Sequence, residues 1–150
     1  MKISSVFAAA AAVFLSTGLA TAGEKHLMHC FAFSPIESAS EADWKAFYDA
    51  TDAMPKHIPA VKMVWVGKLR SDLAQFQVDA AARKKLAAGE KDVDAKANRV
   101  VRGYGVCMAM EGGPEVLKET YTANPYHKTW SAAYEKVRVA GTTTFDIIGR

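Results

Sequence analysis

Three side chains in this sequence are of types that move protons, and their placement suggests joint action. Tyr121 and His127 flank an Asn124-Pro125 interruption, and His26 opens the first apolar run that reads as a strand. An imidazole with a free pKa near about 6.5 is partly neutral at pH 7 and takes a proton from an activated carbon or hydroxyl. A phenol hydroxyl donates a hydrogen bond to an oxygen that gains charge as an enolate forms. Such a pair needs no cofactor when the substrate proton is already acidic, as it is between two carbonyls. The turn at Asn124-Pro125 brings the tips of Tyr121 and His127 toward one cavity, and His26 orients His127 or holds a substrate oxygen. The plain structural alternative is a hydrogen-bonded His127 near a helix start and a core Tyr121.

Other reactive types give weaker signals. His26 and His29 are three apart in a strand, so they face opposite ways and do not chelate by spacing. His26 with His127 would supply two imidazoles, with Asp146 as a third ligand that no spacing supports. Zinc takes four well-placed groups, so no metal is expected. His57, between Pro55 and Pro59, reads as exposed. Cys30 and Cys107 fall in neighbouring strands; a disulfide is allowed, but on geometry alone two buried free thiols are expected. Mid-strand burial disfavours a nucleophilic role for Cys107. Trp44, Trp65 and Trp130 fall on core stripes.

The elements that must carry these residues follow from the apolar pattern. Residues 26–33 read as a strand, with His26, Met28, Cys30 and Ala32 on one face and Leu27, His29, Phe31 and Phe33 on the other. Ser38 and Glu41 fit a capping box for a helix bearing Trp44, Phe47, Tyr48, Thr51 and Met54, stopped by Pro55. Residues 60–69 return as a strand. Residues 71–98 read as a decorating insert, in which Leu73, Phe76 and Ala80 suggest a short helix and residues 90–98 stay solvated. Residues 100–110 form a third strand, and Pro114 opens a helix through Val116, Leu117, Thr120 and Tyr121. A further helix places His127, Trp130 and Tyr134 on adjacent turns, and residues 142–148 close the sheet.

Composition sets the outer limits. The 150 residues are half apolar and 23% charged, enough for one domain with a core. A formal charge of +3 gives no reason to expect nucleic acid. Lys2, the apolar run Val6 to Leu15, and Ala20-Thr21-Ala22 have the pattern of a signal peptide over residues 1–22, with Gly23 as the new terminus. The run is too short to span a bilayer, so a periplasmic or secreted protein, free of the membrane after cleavage, is expected.

Four strands with helices after the first and third give an α+β, ferredoxin-like split βαβ sandwich. Helices then cover one sheet face, and the other carries either the Leu27/Phe31/Phe33 set or its alternate. An apolar face of that size calls for a partner, most simply a second copy related by a two-fold axis.

The order of pieces resembles the stress-responsive dimeric α/β-barrel (Dabb) family. The matching pieces are Lys25-His26-Leu27, Ile58-Pro59-Ala60-Val61, the spaced set Tyr121, Pro125 and His127, and Phe145-Asp146, over residues 25–148 apart from the insert. The resemblance implies a two-fold dimeric α/β barrel, with a pocket between sheet and helices in each subunit. One branch, the plant cyclase that makes olivetolic acid, performs an intramolecular aldol condensation without metal or organic cofactor. The resemblance carries over His127 as base, Tyr121 as its assistant and His26 as a pocket residue. Asn124, where that branch has histidine, and the long insert are departures. The expectation is therefore a homodimer that binds a small aromatic or polyketide-like molecule, with cofactor-free cyclase- or lyase-like chemistry. The alternative is a non-catalytic, stress-related binding or protective module.

Overall fold

The computed structural model describes residues 26–149. The expected leader, residues 1–22, lies outside the described residues. Strand β1 (His26–Phe33) turns Leu27, Phe31 and Phe33 into the core, at 1%, 6% and 0% exposure. Of the two faces left open by the sequence, the alternate set (Met28, Cys30, Ala32) is therefore the one turned away from the helices.

Helix α1 (Glu41–Asp52) starts two residues later in its capping box than Ser38–Glu41 would place it. The Ser40 hydroxyl oxygen accepts the Asp43 N–H at 3.1 Å, and Asp43 accepts the Ser40 N–H at 3.3 Å. Pro55 does not stop this helix. Ala53 caps it, and Pro55 enters the first turn of the short helix α2 (Met54–His57), where a missing N–H breaks no bond.

Strands β2 (Val61–Val78) and β3 (Ala97–Glu111) are far longer than their apolar stretches suggest. After a register break between Lys68 and Leu73, they pair Leu73 with Arg102 and continue to Val78 with Ala97. Leu73 and Phe76 thus belong to a two-stranded ribbon rather than to a helix. Most ribbon side chains are exposed on both faces, so no alternation records the strand, and the backbone ladder holds it. The helix of this region, α3 (Ala80–Ala87), lies at the ribbon tip in the Ala/Lys stretch. Asp79 caps it by accepting the Ala82 N–H at 2.9 Å, and also accepts the Lys96 N–H at 3.0 Å.

The chain then passes through a π-helical segment, Leu117–Thr122, helix α4 (Pro125–Glu135), and strand β4 (Thr143–Gly149). The sheet order is β2-β3-β1-β4, and every neighbouring pair is antiparallel. That is the ferredoxin-like arrangement. The barrel expectation fails: this sheet is open, with β2 and β4 as its edges, and does not close on itself. Four strands with helices on one face form a two-layer sandwich; closure takes more strands and a regular stagger.

The core lies between sheet and helices. Phe33 packs edge-on against Phe47 and Tyr134, and Phe31 against Trp130, at centroid distances of 5.0–5.9 Å. The indole N–H of Trp130 donates to Thr51 Oγ1 at 3.0 Å, and that hydroxyl donates to the Phe47 carbonyl at 2.8 Å. Both polar groups are thereby satisfied in the interior. Trp65 departs from the core-stripe reading. It stands half exposed on the opposite face, near Met63, Phe145 and Ile147, which are similarly exposed.

The cysteines also depart from expectation. Cys30 and Cys107 are direct partners in the β1–β3 register, with Cα atoms 4.2 Å apart, and they form a disulfide. The same register that makes them neighbours puts both side chains on the open face, which spacing alone does not reveal. The bond spans 77 residues of chain, and disulfides in general stabilise by about 2–4 kcal/mol, more for longer loops.

Candidate functional site

Asn124 builds the turn that presents His127. Its side-chain oxygen accepts the Tyr126 N–H at 2.9 Å, and its amide donates to the His57 carbonyl at 3.1 Å. Pro125 follows at the first helical position, and the His127 N–H donates to the Asn124 carbonyl at 3.0 Å. Tyr126 fastens the same turn to α1 and α2. Its hydroxyl donates to the Ala50 carbonyl at 3.1 Å, and its ring stacks on His57 at 4.1 Å. His57 is exposed on its other side.

The π-helical segment carries Tyr121 into the interior, 4% exposed, where its ring meets the His127 imidazole edge-on at 4.6 Å. The third member of this group is His29, with its ring 5.7 Å from that of Tyr121. His29 Nδ1 lies 2.6 Å from Asp146 Oδ1 on β4, the strand beside it. A carboxylate at that distance accepts from an Nδ1–H and leaves Nε2 as the free nitrogen.

His29, Tyr121 and His127 border a hollow of about 240 Å³ whose walls include Phe31, Trp130 and Tyr134. Tyr121 and His127, expected together, are together. His26 is not with them. It stands at the exposed end of β1, beside Glu111, whose carboxyl is held low by Lys62 first and, more weakly, by His26. Strand alternation was the signal for His29, since it shares a face with Leu27, Phe31 and Phe33. Asp146 shows in the sequence only within the Phe145-Asp146 piece of the resemblance and as a ligand no spacing supports, because its pairing with His29 depends on the β1–β4 register.

Burial sets the electrostatics of the hollow. It pushes the His127 imidazole below its ordinary value, and nearby His29 adds to the shift. His127 is therefore neutral at pH 7 and able to accept a proton. Burial, with a smaller effect from Tyr134, raises Tyr121 well above the usual phenol value, so its hydroxyl keeps its proton. A neutral imidazole and a protonated phenol in edge contact, beside a carboxylate-held histidine, can accept one proton while donating a hydrogen bond to a nearby oxygen.

Fold and hollow together define a ferredoxin-like α+β domain with an aromatic-walled, histidine-bearing recess between sheet and helices. The chain is similar in structure to a dimeric ferredoxin-like protein of unknown function from Thermobifida fusca YX, at 15% identity and TM-score 0.52, over 83% of this chain and 92% of that one. It is also similar to a Dabb family protein with a ferredoxin-like fold from Mesorhizobium loti MAFF303099, at 11% identity and TM-score 0.52, over 85% and 99%. An Arabidopsis thaliana protein gives 12% identity and TM-score 0.51, over 81% and 92%. At such identities these likenesses show the shared fold. No protein-family model and no curated protein matches the sequence.

Proposed function

We propose that the hollow binds a small carbonyl-bearing aromatic or polyketide-like molecule and that His127 and Tyr121 move its protons without a cofactor. His127 takes a proton from the carbon between two carbonyls, and the electron pair moves onto oxygen as an enolate. The Tyr121 hydroxyl donates a hydrogen bond to that oxygen. The enolate carbon then forms a bond to a second carbonyl of the same molecule, and the imidazolium returns its proton to the new alkoxide. Asp146 holds His29 so that its free nitrogen faces the same molecule. The observation that carries this reading is the convergence of His29, Tyr121 and His127 on one aromatic-walled recess.

The test is α-proton exchange of an aryl 1,3-diketone in D2O, followed by NMR against an equal concentration of free imidazole. The protein accelerates exchange, and His127→Ala lowers the rate by about 10²–10⁴-fold. An equal rate in the variant rejects His127 as base. One observation favours the second reading, a non-catalytic binding module. At about 240 Å³ the hollow is smaller than the roughly 300–1,000 Å³ of ordinary ligand sites. Saturable binding of the diketone without faster exchange would select that reading.

Two further parts of the proposal concern the whole protein. Export after cleavage behind Ala22 is supported by the leader-like residues and by the Cys30–Cys107 disulfide, a bond that persists in oxidising compartments. Pairing of two copies through the open sheet faces is supported by Met63, Trp65, Phe145 and Ile147, each about half exposed on that face.

A further inference from the structure

Among the described residues, Phe76 is the most exposed large apolar side chain, at 73%. It sits on the ribbon of β2 and β3, past the last rung that β1 shares with β3, Phe33 with Tyr104. Strand β3 is unbroken from Ala97 to Glu111, so Arg99 has the parity of Gly105 and Cys107, on the open face. Phe76 is the direct partner of Arg99, and directly opposed side chains share a side of the ladder. Phe76 therefore projects to the same side as Trp65 and the disulfide.

Apolar surface continues from the sheet to the ribbon. One row crosses all four strands: Trp65, Cys107, Cys30 and Phe145. The two rings stand on the edge strands with the disulfide between them, and they border a concavity of about 480 Å³. Leu69 and Leu73, at the register break where the ribbon begins, also line it. Leu69 lies over Gly105: a Cβ there would stand 2.9 Å from Leu69 Cδ2, closer than side chains pack.

The sheet face is too small to hold a partner alone. Four strands wide and as long as the seven residues of β4, it measures about 450 Å² at ordinary strand spacings. Stable pairing takes about 800 Å² from each partner. One side of the ribbon, residues 73–78 against 97–102, adds about 200 Å². A two-stranded ribbon is itself marginal in water without packing, and its exposed sides leave that packing to another chain.

We propose that the ribbon is a clasp for a second copy of this chain, each copy laying Phe76 against the other. The clasp rests on the pairing of open sheet faces proposed above and supplies area that those faces lack. A two-fold axis places both ribbons alike, so one apolar side chain acts twice.

The test is sedimentation equilibrium of the full protein, its Phe76→Ser variant and an Ile148→Ser control, with isotope-filtered NMR on mixed labelled and unlabelled chains. Ile148 is 59% exposed but is the partner of Leu27, on the helix side of the sheet. Phe76→Ser should weaken the dimer by about tenfold or more, because two apolar rings lose their burial. Ile148→Ser should leave it unchanged, and the Phe76 ring should show contacts to the other copy in the mixed dimer. A dimer equally tight in Phe76→Ser, an equal loss in Ile148→Ser, or no contact from Phe76 to the other copy would overturn the clasp. Should Trp65→Lys be monomeric while Phe76→Ser stays dimeric, the sheet faces pair without the ribbon. A monomeric unaltered protein removes the pairing and the clasp together.

Discussion

His127 couples the chemistry of the hollow to the stability of the fold. Its folded-state pKa lies below the free imidazole value, chiefly through burial. The unfolded chain therefore binds a proton more readily than the native one. Stability is full above about pH 6.5 and falls as pH drops from there through the lower folded value. Thermal unfolding at intervals from pH 8 to 5 should show a midpoint falling below about pH 6.5, and His127→Gln should flatten that slope. An equal slope in the variant would assign the effect to other groups. At this scale the sequence was half legible. Tyr121 and His127 were found by type and spacing across Asn124-Pro125. The family resemblance and the start of the first strand point to His26 as the third partner, whereas strand alternation favours His29.

Elements position these side chains through local bonds that spacing reveals unevenly. Asn124 ties the start of α4 both to Tyr126 and to the His57 carbonyl, so it sets where His127 points. Asn124→Ala should cost about 0.5–2 kcal/mol in a denaturant titration, as losing an N-cap does elsewhere. It should also slow proton exchange, because His127 loses its fixed entry angle. Unchanged stability would mean that Pro125 and Tyr126 hold the turn unaided. The Asn-Pro pair announced this turn plainly. The ribbon of β2 and β3 announced nothing, since its side chains face water on both sides and its order comes from the ladder between strands distant in sequence. The helix start is likewise ambiguous by two residues in the sequence, as Ser38–Glu41 and Ser40–Asp43 have the same spacing and only backbone geometry separates them.

Across the whole molecule, one layer of helices over one sheet leaves the far face to find its own cover. The order of strands and helices was readable because each strand is bounded by turn residues and each helix has an apolar stripe. Closure was not, because it depends on edges that β2 and β4 leave unpaired within this sheet. Native mass spectrometry of protein recovered from the exporting cell's periplasm should show a dimer of chains beginning at Gly23. Trp65→Lys, placed on the half-exposed face, should shift it to monomer without unfolding it. A monomer at micromolar concentration in the unaltered protein would contradict pairing through that face, and an uncut leader would contradict export.

The recess is the part on which the functional account depends, and it has a rival on the same molecule. The open sheet face carries a concavity of about 480 Å³ lined by Trp65, Leu69, Leu73, Phe145 and the disulfide. Imidazole NMR signals of His29 and His127, recorded while an aryl 1,3-diketone is titrated in, distinguish the two directly. Saturable shifts of both imidazoles, with the Trp65 indole signal unmoved, are the predicted result. Shifts confined to Trp65, or no shift at either histidine, would contradict it.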